Sequence, residues 1–192
     1  MKKSIFCVLS VAAVMGAVLT STAASAAVTA TARASSLPPG DPATTVTFAV
    51  GTGLLTMTAP GSATLGTGSG QPGTTISGLL GSTVVTDNRA SLAASWTVSV
   101  SSSNFTTGGA TPAETIPVAD ASYTAGSFFT TGTITVTATP AVLTLANAAA
   151  QDIFGTAGVG DNSATWNPTL SVAVPPAAVT GTYTGTLTQS VL

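Results

Sequence analysis

The chain has 192 residues, of which four are Lys or Arg, six are Asp or Glu, one is Cys and none is His, for a net charge of −2. So sparse a supply of cations disfavours nucleic acid and anionic membrane surfaces as partners, since both need clustered Lys and Arg. The composition is rich in Thr, Ser, Ala and Gly, which suits either a polar, nearly uncharged extracellular surface or a disordered linker, and the pattern along the chain favours a folded domain.

Lys2 and Lys3 are followed by an apolar run from Ile5 to Leu19 and by Ala24-Ser25-Ala26. That order predicts a secretory signal peptide over residues 1–26, too short and interrupted for a membrane span. Cys7 stands near the start of the apolar run, so a lipid anchor is not expected. Cleavage after Ala26 leaves 166 of the 192 residues, enough for one domain that buries about 70% of the surface its unfolded chain exposes. Both lysines and the cysteine leave with the signal. The mature chain then sets two cations, Arg33 and Arg89, against six carboxylates, for a net charge of −4, and it has no disulfide. Small secreted domains with poor cores often add disulfides, so this one must rely on packed apolar strands.

Residues 27–43 are Ala, Thr and Ser around Pro38-Pro39-Gly40 and read as a flexible leading segment. A β domain is expected over 44–192. Val46, Phe48 and Val50 alternate with Thr45 and Thr47, a second strand is expected from Leu54 to Ala59, and the Gly- and Ser-rich stretch 61–73 is loop. The strongest strand runs from Leu92 to Val100, with Leu92, Ala94, Trp96, Val98 and Val100 on one face. Thr133 to Thr139 alternate with Ile134, Val136 and Ala138 until Pro140 intervenes, and Val142 to Leu145 follow closely. A helical turn is expected at Leu145 to Phe154, where Ala146 and Ala148 to Ala150 are good helix formers. Trp166, Leu170, Val172 and Val174 then share a face, with Pro168 marking an edge or a bulge. The last strand sets Tyr183, Leu187 and Val191 against a row of Thr. Many short strands separated by Gly, Pro and Asn turns predict an all-β chain with a single antiparallel β-sandwich of Ig-like or Greek-key type.

Without His, Lys or Cys the mature chain lacks most nucleophile and base pairs, and a zinc site is not expected. No catalytic residue and no cofactor is assigned. The nearest carboxylate pair, Glu114 and Asp120, suits a glycosidase in principle, but its flanks read as solvated loop. Thr86-Asp87-Asn88 and Gly160-Asp161-Asn162-Ser163 hold the residue types of a calcium loop without its multi-acid spacing. Turn formation explains both more simply, so no metal is assigned. Trp96 and Trp166 could stack on sugars, but each shares the parity of its strand's aliphatic residues and is expected in the core. The Thr row from Thr133 to Thr139 has no fixed repeat, so it reads as the solvent face of a β-branched strand.

Trp96-Thr97-Val98-Ser99-Val100, with Asn104-Phe105 and Gly108-Gly109 behind it, resembles the first motif of the WxL group of Gram-positive surface proteins, with Val98 at the place of that family's Leu. Trp166 through Leu170-Ser171-Val172, leading to Gly181-Thr182-Tyr183-Thr184-Gly185-Thr186-Leu187-Thr188, resembles the second, with two more residues between Trp and Leu. The likeness covers about residues 82–192, and the Ala, Thr and Gly richness suits an actinobacterial relative. It implies a secreted, non-enzymatic protein held non-covalently at the cell wall through peptidoglycan, with Trp96, Val98, Trp166 and Leu170 as motif residues and other surface proteins as further partners. The terminal strand is also similar to those of pilin-like and spore-coat sandwiches. That likeness implies the alternative of a coat or fimbrial subunit joined by strand exchange. A carbohydrate-binding adhesin is the third alternative.

Overall fold

The computed structural model describes residues 28–31, 45–66 and 70–192. The signal peptide assigned to 1–26 and most of the 27–43 segment lie outside the described residues. The chain divides into two units, Met1–Thr52 and Gly53–Leu192. In the first, β1 (Val28–Thr31) pairs antiparallel with β2 (Thr47–Val50). A strand therefore stands inside the stretch read as flexible. Val46, Phe48 and Val50 are exposed rather than buried, because a two-stranded ladder alone offers an apolar face nothing to pack against.

The second unit is all-β and antiparallel, and its strands follow in the order β3 (Leu55–Thr58), β4 (Thr75–Leu79), β5 (Thr83–Ser102), β6 (Phe105–Thr106) and β7 (Thr115–Ile116). Then come β8 (Ala121–Thr124), β9 (Phe129–Thr131), β10 (Thr135–Ala138), β11 (Leu143–Thr144), β12 (Ala150–Trp166), β13 (Thr169–Ala173) and β14 (Leu187–Val191). These strands form a six-stranded sheet, a four-stranded sheet and the small β6–β7 ladder, so the arrangement has more sheets than the two leaves of a sandwich. The only helical pieces among the described residues are short 3-10 turns at Pro112–Glu114 and Val118–Asp120.

The spine is the antiparallel pairing of β5 with β12, from Ala150 opposite Val100 to Trp166 opposite Thr83. Register shifts fall between Gln151 and Ile153, and again between Gly155 and Asn162, where they bend the long strands and increase their local twist. Ala90 and Ala157, both at positive φ, sit beside these shifts. At one end the spine is flanked by β3 and β9, at the other by β14 and β10. The four-stranded sheet runs β11-β8-β13-β4.

Both sheets feed one hydrophobic cluster, with Trp96, Val98, Val100, Ile153 and Trp166 from the spine and Tyr123, Leu143, Leu170 and Val172 from the smaller sheet. The parities read from the sequence hold for Trp96, Val98 and Val100, and for Trp166, Leu170, Val172 and Val174, all buried. Leu92 departs from its row at 88% exposure, since the bulge around Ala90 and Gly158 resets the alternation before Ala94. The helical turn expected at Leu145 to Phe154 is absent. From Ala150 the chain is strand, with Ile153 opposite Val98 and fully buried, so ladder pairing and burial override the helix propensity of the alanines. Pro168 is a buried link between β12 and β13 whose carbonyl accepts the Leu80 N–H at 2.8 Å.

Gly155 stands opposite Trp96 across the ladder, and a Cβ there would fall inside the indole. The absent side chain lets the ring lie over the neighbouring strand. We expect Gly155→Ala to cost about 1–3 kcal/mol through overpacking and Trp166→Ala about 3–5 kcal/mol by emptying a large aromatic site, both measured by urea unfolding. A loss below about 1 kcal/mol for Trp166→Ala would contradict its place in the core.

Candidate functional site

Trp96 and Trp166 are 3% and 1% exposed, so neither offers a face to a ligand. Val98 and Leu170 are buried beside them. The four residues assigned from the family resemblance thus sit in one core rather than on a surface. Trp166 packs edge-on against Phe128, with ring centroids 5.8 Å apart at 64°. Its Nε1–H donates to the Tyr123 hydroxyl at 2.9 Å, and that hydroxyl donates in turn to Gln189 Oε1 at 2.9 Å. Burial holds the Tyr123 phenol well above its ordinary pKa.

The other sequence candidates separate. Glu114 Oε2 accepts from the Thr111 hydroxyl at 2.8 Å and from the Thr111 N–H at 3.1 Å, and the hydroxyl contact in particular lowers the pKa of its carboxyl. That carboxylate is spent on a turn, and Asp120 lies exposed as the last residue of the next one. The two Asp-Asn dipeptides are not turns. They lie within β5 and β12, with Asp87 directly opposite Asn162, since the spine runs through both. Asp87 is buried and chelated by Arg89, Nε to Oδ1 at 2.8 Å and Nη2 to Oδ2 at 2.7 Å. The Arg89 hydrogen bonds hold its carboxyl below the usual range against the opposing effect of burial. Asn162 closes the β9–β10 connection, its Oδ1 accepting the N–H groups of Thr133 and Ile134 at 2.9 and 3.2 Å. Among the described residues no group of three or more His, Cys, Asp or Glu stands close enough to hold a metal ion. No described helix is long and apolar enough to cross a membrane.

Two concavities stand out among the described residues. The first is an open cleft of about 680 Å³ at the end of β5, lined by Ser101, Asn104, Thr106, Asn147, Thr186 and Thr188 among others, none of them charged. The second is a larger groove of about 1120 Å³ with mixed polar and apolar walls, reaching Met57 on β3, Ile76 on β4, Leu170 and Val172 on β13 and Leu187 on β14. Among the described residues β3, β4 and β14 each pair on one side only. The cleft draws on three stretches far apart in sequence, which is why no motif announces it. The only trace is a run of polar residues after Val100 and a Thr row at 184–188.

Asp152 is a second buried carboxylate, at the Gln151–Ile153 register shift, and neither of its oxygens has a hydrogen-bond partner. Burial pushes its pKa up to about 6. Folding therefore favours the protonated acid. Its contribution to stability is fully present below the unfolded pKa near 4 and is lost as pH rises through about 6. We expect Asp152→Asn to gain stability relative to the native protein between pH 4 and pH 7 by about 3 kcal/mol, the equivalent of a two-unit shift. Urea midpoints for both proteins across that range check this, and parallel curves would contradict it.

No protein-family model matches the chain, and no curated protein and no solved structure is significantly similar to it.

Proposed function

We propose that this is an exported, non-enzymatic surface protein that is retained non-covalently at the cell wall of a Gram-positive bacterium and binds a wall polymer. The observation that carries the reading is the open cleft at the end of β5, whose lining side chains are hydroxyls and amides with no acid, base or nucleophile-activating group among them. Such a surface can hold a polyhydroxylated polymer by hydrogen bonds and has little means of cleaving it. The N-terminal signal pattern and the likeness of Trp96-Thr97-Val98 and Trp166 to Leu170 to the WxL motifs support export and the wall as destination. On this reading the motif residues organise the domain, and the ligand is met elsewhere. In the same reading the six- and four-stranded sheets are the two leaves of one sandwich, since they share a core, and β6–β7 is an accessory ladder.

A second function is favoured by the larger groove. It runs beside strands with unpaired edges, the arrangement into which an extended segment adds as an extra strand. Assembly into a coat or fibre is the corresponding role.

Sedimentation with purified sacculi from several Gram-positive species tests the first reading. Saturable co-sedimentation is expected. If the protein stays in the supernatant with every wall and forms filaments visible by electron microscopy, assembly replaces wall binding.

A further inference from the structure

We infer that the cleft at the end of β5 is a site for an uncharged glycan, and that Asn104, Asn147, Thr186 and Thr188 supply its hydrogen bonds. The source of the glycan rests on the wall-binding reading above, and the chemistry rests on the cleft itself.

The three stretches that form the cleft are tied together by the backbone. The Ser103 N–H donates to the Thr186 carbonyl at 2.9 Å, the Ser102 N–H to the Ala146 carbonyl at 3.0 Å, and Thr106 and Thr184 exchange bonds of 3.0 and 2.9 Å. Ser103 is spent on this scaffold, its hydroxyl accepting the Thr186 N–H at 2.9 Å and donating to the Asn104 carbonyl at 3.0 Å. At Gly185 a Cβ would lie 2.6 Å from the Phe105 ring, so the strand can pass this close to a buried aromatic only because it has no side chain there. The backbone of the walls is thus held before a ligand arrives, which lowers the ordering cost of binding.

What the walls present is specific in kind. Asn104 Oδ1 accepts the Val118 N–H at 2.9 Å, which sets the orientation of the amide and leaves its NH₂ as a donor. Asn147, Thr186 and Thr188 are exposed around it and add an amide and two hydroxyls, each able to donate and accept. A sugar ring with hydroxyl and N-acetyl groups matches that mixture. A phosphate- or carboxylate-bearing polymer would find no cation in the cleft, and a cationic peptide would find no carboxylate. The neutral sugar chain, rather than the anionic polymers that decorate a wall, is therefore the ligand class.

The test uses the whole protein and two probes. Triacetylchitotriose titrated into the ¹⁵N-labelled protein is expected to shift the amides of 101–106, 147 and 184–188. The double substitution Asn147→Ala and Thr188→Val, which replaces two exposed residues, is expected to weaken that binding at least tenfold with an unchanged urea midpoint. Shifts confined to other residues, or full affinity in the double variant, overturn the site. The second probe is sacculi with and without acid stripping of their anionic polymers, and equal sedimentation is expected. Loss of sedimentation on stripping overturns the neutral-glycan assignment. Oligosaccharide binding at the cleft without sedimentation on any wall upholds the site and removes wall retention. Undiminished sedimentation of the double variant removes the site and leaves wall retention standing.

Discussion

The phenol of Tyr123 is the point through which the two larger sheets are held in one arrangement. It projects from the four-stranded sheet into the core, receives the indole N–H of Trp166 from the spine, and passes its own proton toward Gln189 on β14. A buried hydroxyl without partners is costly. This one has both, and each comes from the opposite sheet. Apolar contacts alone would let the sheets slide, because methyl groups of Val, Ile and Leu pack in many registers. The directional pair of hydrogen bonds selects one. No cysteine follows Cys7 in the sequence, so within these sheets that selection rests on packing and on this short polar chain.

Around that point the spine carries two buried carboxylates with opposite chemistry. Asp87 is chelated by the side chain two residues further along its own strand, and Arg89 also reaches the Ser95 carbonyl at 2.7 Å. Asp152, on the partner strand, has no such counter-ion or donor. One is stabilised as an anion and the other as a neutral acid, so acidification removes a favourable interaction at the first and relieves an unfavourable one at the second. The bulges do more than bend the ribbon. They place Asp152 between Gln151 and Ile153, out of step with the ladder, where the regular alternation of faces no longer keeps a charged side chain in water.

Parity in the sequence revealed much of this core. Trp96, Val98 and Val100, like Trp166, Leu170, Val172 and Val174, are inside because period-two alternation is a local property that survives long-range pairing. What alternation could not reveal is continuity. Asp87-Asn88 and Asp161-Asn162 have the chemistry of turns, and only the partner strand opposite them makes them ladder residues. The alanines at 148–150 carry a helical preference that pairing cancels. Leu92 has the right parity and the wrong side of a bulge. Nothing in the neighbourhood of Asp152 in the sequence distinguishes it from a solvated acid. The cleft was illegible for a related reason, since Asn104, Asn147 and Thr186 meet through pairings between stretches dozens of residues apart.

The spine also has a mechanical meaning. β5 and β12 run side by side through both ends of the six-stranded sheet, and the cleft lies where β5 ends. A pull directed along β5 against β12 loads the ladder bonds between them in parallel, so that they shear together instead of parting one after another. Resistance to such a pull is governed by the rate of forced unfolding rather than by equilibrium stability. The length of this ladder therefore counts for more under a directed pull than it does at equilibrium.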